Sequence, residues 1–313
     1  MISKVRLFGV CVVIAGAAVS VACGSSDDSK FGDGSAQNGG AGSSGANGFG
    51  NGTDGDGTGT TQQKIEECSK MDIVFAVDNS NSMKEEQDNL AANFPKFVNV
   101  IDSYKTKSGQ ALDYRIAVTT SDDKGKFLSA RGPGATAGCN PGPKKAWLER
   151  TDGTVADFFA CRAEVGTGGS STERPIENIL LGVRERVADG TNAGFVRDDA
   201  LLAIVILTDE DEGSKEGAGN LARPMADYPP AFDTIKSGRG RWAAAAIAGP
   251  GPGDCTSSFG AAAEAKRVHG FTDSAGQNGV FSSICAGDLT EGLTKALATF
   301  DQACKNFPTG PVK

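Results

Sequence analysis

The sequence predicts an α/β fold: an open, mostly parallel β-sheet flanked by helices on both faces. Three observations predict it. Short apolar runs alternate with segments of helical periodicity along residues 67–305. The best runs are apolar at consecutive positions, as strands buried on both faces are. The two strongest, 72–77 and 201–207, each end in a polar loop carrying carboxylates, where open α/β sheets place their ligands.

Residues 1–22 read as an export signal. Lys4 and Arg6 precede an apolar run over 7–21 that is short for a bilayer span. Val21, Ala22, Cys23 and Gly24 resemble the lipobox of bacterial lipoproteins, although Ser20 stands where that motif usually has Leu. The resemblance implies cleavage behind Ala22, a lipid on Cys23, and a place in the cell envelope, on the outer membrane or cell surface. Residues 23–66 comprise this cysteine and a linker of Gly, Ser, Asn, Asp, Thr and Ala. Phe31 and Phe49 are the only large apolar side chains in 24–61, too few to offset the entropy of ordering the chain. Asp54 and Asp56 faintly suggest a calcium loop but lack a closing Glu. The stretch therefore reads as a tether, of span roughly 35 Å for a Gly/Ser coil.

The 313 residues carry a formal charge of −8, and 39% are apolar. That supports a sizeable core and gives no basic footprint for nucleic acid. Six cysteines remain once Cys11 and Cys23 are set aside. An even number in an exported domain points to three disulfides. The spacing does not fix their pairing. The expected set is Cys139–Cys161 and Cys255–Cys285, each closing an insertion, with Cys68–Cys304 joining the domain ends. Zinc is disfavoured by a single histidine, His269, and by the lack of a C-x-x-C pair.

Residues 72–77 form the first expected strand. Met83, Leu90, Phe94, Phe97 and Ile101 then mark one face of a helix, with Pro95 expected to kink or break it near Asn93. Residues 114–119 give a second strand. Residues 121–169 read as irregular, with one short helix near 155–161. A helix carrying Ile176, Ile179, Leu180, Val183 and Val187 follows, with Thr172 as its expected cap and Gly190 near its end. Residues 201–207 are the expected central strand, 242–247 another, and 279–284 an edge strand. The last helix is expected to open at Asp288, with Glu291 completing a capping box, and to turn Leu289, Leu293, Leu297 and Phe300 inward. Residues 306–313 read as a tail. Trp147 and Trp242 read as packing residues, and His269 as a surface or loop residue.

The polar loops carry the chemistry. Asp78, Asn79, Ser80, Asn81 and Ser82 follow the first strand. Gly168, Gly169, Ser170, Ser171 and Thr172 precede a helix. Thr208, Asp209, Glu210, Asp211 and Glu212 follow the central strand. Strand, D-x-S-x-S, helix, hydroxyl loop, strand, Thr-Asp resembles the metal-ion-dependent adhesion site of von Willebrand factor type A (VWA) domains, over residues 67–305. The resemblance implies Ser80 and Ser82 as direct ligands of Mg2+ (or Ca2+ or Mn2+), Asp78 as a ligand directly or through water, and Asp209 as the third-loop carboxylate. Ser170 stands at the second-loop ligand position, where the family usually has Thr, so Thr172 or Thr167 are alternatives. Glu210 stands where Gly is common. Such a site leaves a coordination position for an Asp or Glu of a protein partner. The expectation is thus an adhesion-type binding module and not an enzyme. The acids Glu210, Asp211 and Glu212 read as solvated loop charge, with a second calcium-like site as the alternative. Two rival readings are a metal-free structural envelope domain and a magnesium-dependent phosphatase using Asp209 and Asp211.

Overall fold

In the computed structural model the described residues are 64–65, 67–213, 221–258 and 260–309. The chain divides into two units, Met1–Gly59 and Thr60–Lys313. The export signal, Cys23, and the linker as far as residue 63 lie outside the described residues.

Six strands form the main sheet: β2 (Lys70–Val77), β3 (Asp113–Thr120), β4 (Leu148–Glu149), β5 (Leu201–Leu207), β6 (Trp242–Ala248) and β9 (Gly279–Ser283). Their order is β4-β3-β2-β5-β6-β9. All neighbours run parallel except β4, an antiparallel edge on β3. Chain order therefore reverses between β2 and β5, where a doubly wound sheet opens its crevice.

Alternation along the strands sorts the core into two layers. Ile73, Phe75 and Val77 with Leu201, Ala203, Val205 and Leu207 face helices α1 (Lys84–Ser103), α2 (Val155–Ala163) and α7 (Thr290–Lys305). Val74 and Ala76 with Leu202, Ile204 and Ile206 face α3 (Pro175–Val183), α5 (Tyr228–Lys236) and α6 (Lys266–Ser274). All seven residues of β5 are buried, as a strand covered on both faces requires. Among the described residues no helix is long and apolar enough to cross a membrane.

Several local expectations change. α1 runs unbroken through Pro95. Phe94 and Phe97 flank the proline and pack on Phe75, so burial on both sides carries the helix past the missing N–H. The helix expected after Thr172 starts later, at Pro175, and is interrupted at Arg184 before α4 (Glu185–Ala188). Thr172 does not cap it; the cap arrives from a distant loop, as described below. At α7, Asp288 accepts from Thr290 N at 2.8 Å, whereas Glu291 turns to Lys295, so no reciprocal box forms. α5, α6 and the hairpin of β7 (Cys255–Ser257) and β8 (Gly260–Ala262) complete elements that periodicity had not shown.

Three disulfides join Cys68–Cys304, Cys139–Cys161 and Cys255–Cys285. Beyond the first, β1 (Lys64–Ile65) pairs antiparallel with β10 (Pro308–Thr309), so backbone pairing reaches past both expected domain boundaries.

Candidate metal centre

The loops after β2 and β5 meet at the switch point because the two strands are hydrogen-bonded neighbours. Their ends are tied directly: Asp78 N donates to Leu207 O at 2.9 Å. Thr208 Oγ1 then donates to Asp78 Oδ2 at 2.6 Å. Asp78 Oδ1 accepts from Ser80 N at 2.7 Å and from Ser121 Oγ at 3.4 Å. Both oxygens of this buried carboxylate are thus engaged by the protein. Burial pushes its pKa up to about 6, the bonds from Thr208 and Ser80 restrain the rise, and Asp209 adds to it.

Asp209 is the contrasting case. It is buried, yet its Oδ1 has no hydrogen-bond partner. Burial raises its pKa; Ser82 and Ser80 lie close enough to lower it, and Glu210 raises it further. An unmatched buried carboxylate oxygen costs about 1–3 kcal/mol or more. Beside it, Ser80 Oγ and Ser82 Oγ stand 3.3 Å apart. Two hydroxyls and one free carboxylate oxygen, all hard oxygen donors, suit a hard dication. Among the described residues no group of three or more His, Cys, Asp or Glu is close enough to hold a metal. The centre is instead built mainly on hydroxyls.

The second loop is docked on the first through Asn79. Gly169 N donates to Asn79 O at 2.8 Å, and a Cβ on Gly169 would collide with the Asn79 side chain, so the glycine is needed for that close approach. Ser170 Oγ accepts from Thr172 N at 3.0 Å. Among the described residues, Ser170 and Thr172 share no hydrogen bond with Ser80, Ser82 or Asp209. Buried Gln87, on α1, bridges the loops from beneath: its amide donates to Asp78 O and Gly166 O, and its oxygen accepts from Gly166 N.

Two of the three acids after Asp209, Asp211 and Glu212, are not solvated charge. Asp211 accepts from Arg267 N and Val268 N at the start of α6. Glu212, fully buried, accepts from Ile176 N at 2.8 Å and Glu177 N at 3.3 Å at the start of α3, and from Tyr228 Oη. Free N–H groups at helix starts attract carboxylates, and this accounts for both acids without a second metal.

Sequence reading missed Gln87, Ser121, Asp122 and Glu86. Ser121 and Asp122 follow β3, and the carboxyl-end rule applied to that strand as well would have found them. Glu86 lies in the first turn of α1, buried, with Oε2 unpartnered; burial pushes it up to about 7, and Asp209, Glu85 and Asp78 add to the rise. A groove of about 490 Å3 lies elsewhere, between Val100 of α1, Tyr104 just past its end, and Leu297 of α7.

No family model matches the chain, and no curated protein matches it. Solved structures do. Proximal thread matrix protein 1 from the mussel byssus aligns at 16% identity and TM-score 0.42, over 77% of this chain and 50% of that one. Another structure of that protein, with zinc in its MIDAS motif, aligns at 14% identity and TM-score 0.41 over the same shares. The manganese-loaded TRAP protein of Plasmodium vivax aligns at 13% identity and TM-score 0.37, over 79% of each chain. The chain spans about half the length of the mussel protein. The fold is α/β: a mixed, mostly parallel six-stranded sheet covered by helices on both faces, of the doubly wound, Rossmann-like kind.

Proposed function

We propose that this domain is a binding module that recruits a carboxylate of a partner protein through a divalent cation, Mg2+ or else Ca2+ or Mn2+. The observation that carries the reading is Asp209 Oδ1, a buried carboxylate oxygen with no donor, beside the Ser80 and Ser82 hydroxyls. Ser80, Ser82 and Asp209 would hold the ion. Asp78, its oxygens already engaged, would act through water while fixing the loop. Ser170 or Thr172 would complete the shell from the second loop. A bound dication supplies an open coordination position that an Asp or Glu of the partner fills; with few carboxylates around it, that position stays attractive to an anion. The module acts as a tethered one, held in the cell envelope by a lipid on Cys23 and the Gly/Ser-rich linker.

The reading is non-enzymatic. A phosphatase would need Asp209 and Asp211 directed at one phosphorus, and Asp211 is turned to the start of α6. A metal-free structural role is the second reading. The full set of protein donors on Asp78 favours it, since both of its oxygens are matched within the protein.

Substitution of Asp209 separates the two. Magnesium at 100 times Kd should stabilise the wild-type chain by about 2.7 kcal/mol, several degrees in Tm. Asp209→Ala should abolish that shift. Without metal the same variant should melt at or above the wild-type temperature, because it removes an uncompensated buried carboxylate. A wild-type Tm unmoved by any of the three cations rejects the metal reading. Pull-down from envelope extracts, with and without EDTA, would then identify the partner as a band lost in EDTA and in Asp209→Ala alike.

A further inference from the structure

We propose that Asp122, in the loop after β3, is a positioning residue that holds the second loop against the first and so shapes the metal site; the proposal rests on the metal reading above. Its two oxygens gather donors from three places. Oδ1 accepts from Asn79 Nδ2 at 3.0 Å and from Thr120 Oγ1 at 2.9 Å. Oδ2 accepts from Ser170 N at 2.9 Å. One side chain therefore joins the residue between Asp78 and Ser80 to the residue at the second-loop ligand position. Its neighbour Ser121 reinforces the junction, donating to Asn79 Oδ1 at 3.1 Å and to Asp78 Oδ1 at 3.4 Å.

The chemistry calls for a carboxylate here. Every group facing Asp122 is a donor, and an amide in its place would turn an NH2 toward at least one of them. The second loop, Gly168, Gly169, Ser170 and Ser171, has only small side chains and little packing of its own. Two glycines make it costly to order. The bond from Gly169 N to Asn79 O and the bond from Ser170 N to Asp122 fix it side by side. Asp122 itself makes no bond to Ser80, Ser82 or Asp209 among the described residues, so it acts through the loops.

The test uses the full chain, magnesium titration by calorimetry, Tm without metal, and amide exchange across residues 168–172. Asp122→Asn removes an acceptor and the charge. Asp122→Glu keeps the charge and displaces it by one methylene. Asp123→Asn removes the adjacent charge and touches neither loop. Both Asp122 variants should bind magnesium at least about tenfold more weakly and exchange faster at Ser170, with the metal-free Tm within a few degrees of wild type. Asp123→Asn should stay within about twofold of wild type. Unchanged affinity in Asp122→Asn overturns the proposal. So does wild-type affinity in Asp122→Glu, or an equal loss in Asp123→Asn, since either would make the effect one of charge and not of placement. Exchange accelerated throughout the chain would show a general loss of structure and overturn it too. A wild-type chain that binds no magnesium fails differently: the metal reading falls and takes the proposal with it, while exchange at Ser170 still reports whether Asp122 holds the loop.

Discussion

At the scale of single residues, Glu212 shows how far a carboxylate's role depends on where its side chain turns. Burial pushes it up to about 8, opposed by the N–H groups of Ile176 and Glu177 and by the Tyr228 hydroxyl. The folded chain then holds the proton more tightly than the unfolded one, whose value lies near 4.5. Glu212 therefore favours the fold most at acid pH, and that contribution is lost as pH rises from the unfolded value through about 8. Glu212→Gln should lower stability at pH 5 by misplacing one donor, and should flatten the decline between pH 5 and 8 by about 1 kcal/mol or more. Urea unfolding across that range measures both; an unchanged slope would rule the carboxyl out as its source. The positions of Asp78, Ser80, Ser82 and Asp209 were legible in the sequence because strand ends can be read from apolar runs. The turning of Asp211 and Glu212 toward helix starts was not, since their partners at 176, 177, 267 and 268 are distant in the chain and only the fold brings them near.

At the scale of elements, the long segment between β3 and α3 is organised by a buried cation. Arg162, on α2, donates to the carbonyls of Leu128, Pro141, Pro143 and Lys145 at 2.7–3.1 Å. Burial pulls its pKa down to about 10. Four carbonyls of a Gly- and Pro-rich segment, unable to pair in a sheet, take one guanidinium in place of water. Arg162→Met should cost about 3 kcal/mol or more by stranding them, seen as a drop in Tm of roughly 6–12 °C; a loss below about 1 kcal/mol would mean water replaces the guanidinium freely. The sequence reading found α2 and left the rest irregular, which it largely is. It did not find α5 or α6, whose patterns are obscured by Pro229 and Pro230 in one and by Gly270 and several charges in the other. The strands were clearer: buried parallel strands announce themselves by composition alone, whereas a half-exposed helix needs an uninterrupted period.

At the scale of the whole folded unit, Cys68–Cys304 clips the start of β2 to the end of α7, reinforced by the bond from Cys68 N to Cys304 O. It closes a loop of 236 residues, a constraint on the unfolded chain that removal should relax at a cost of about 2–5 kcal/mol. Cys68→Ser with Cys304→Ser should show that loss in Tm, with magnesium affinity within about twofold of wild type, since the clip lies at the opposite end of β2 from Asp78. The clip also fixes a line of force. β2 runs from Lys70 to Val77, leading from the disulfide to the first loop, with β3 and β5 hydrogen-bonded along both its sides. A pull on Ser80 resisted at Cys68 therefore loads the strand lengthwise, and its bonds to both neighbours must shear together instead of unzipping one by one.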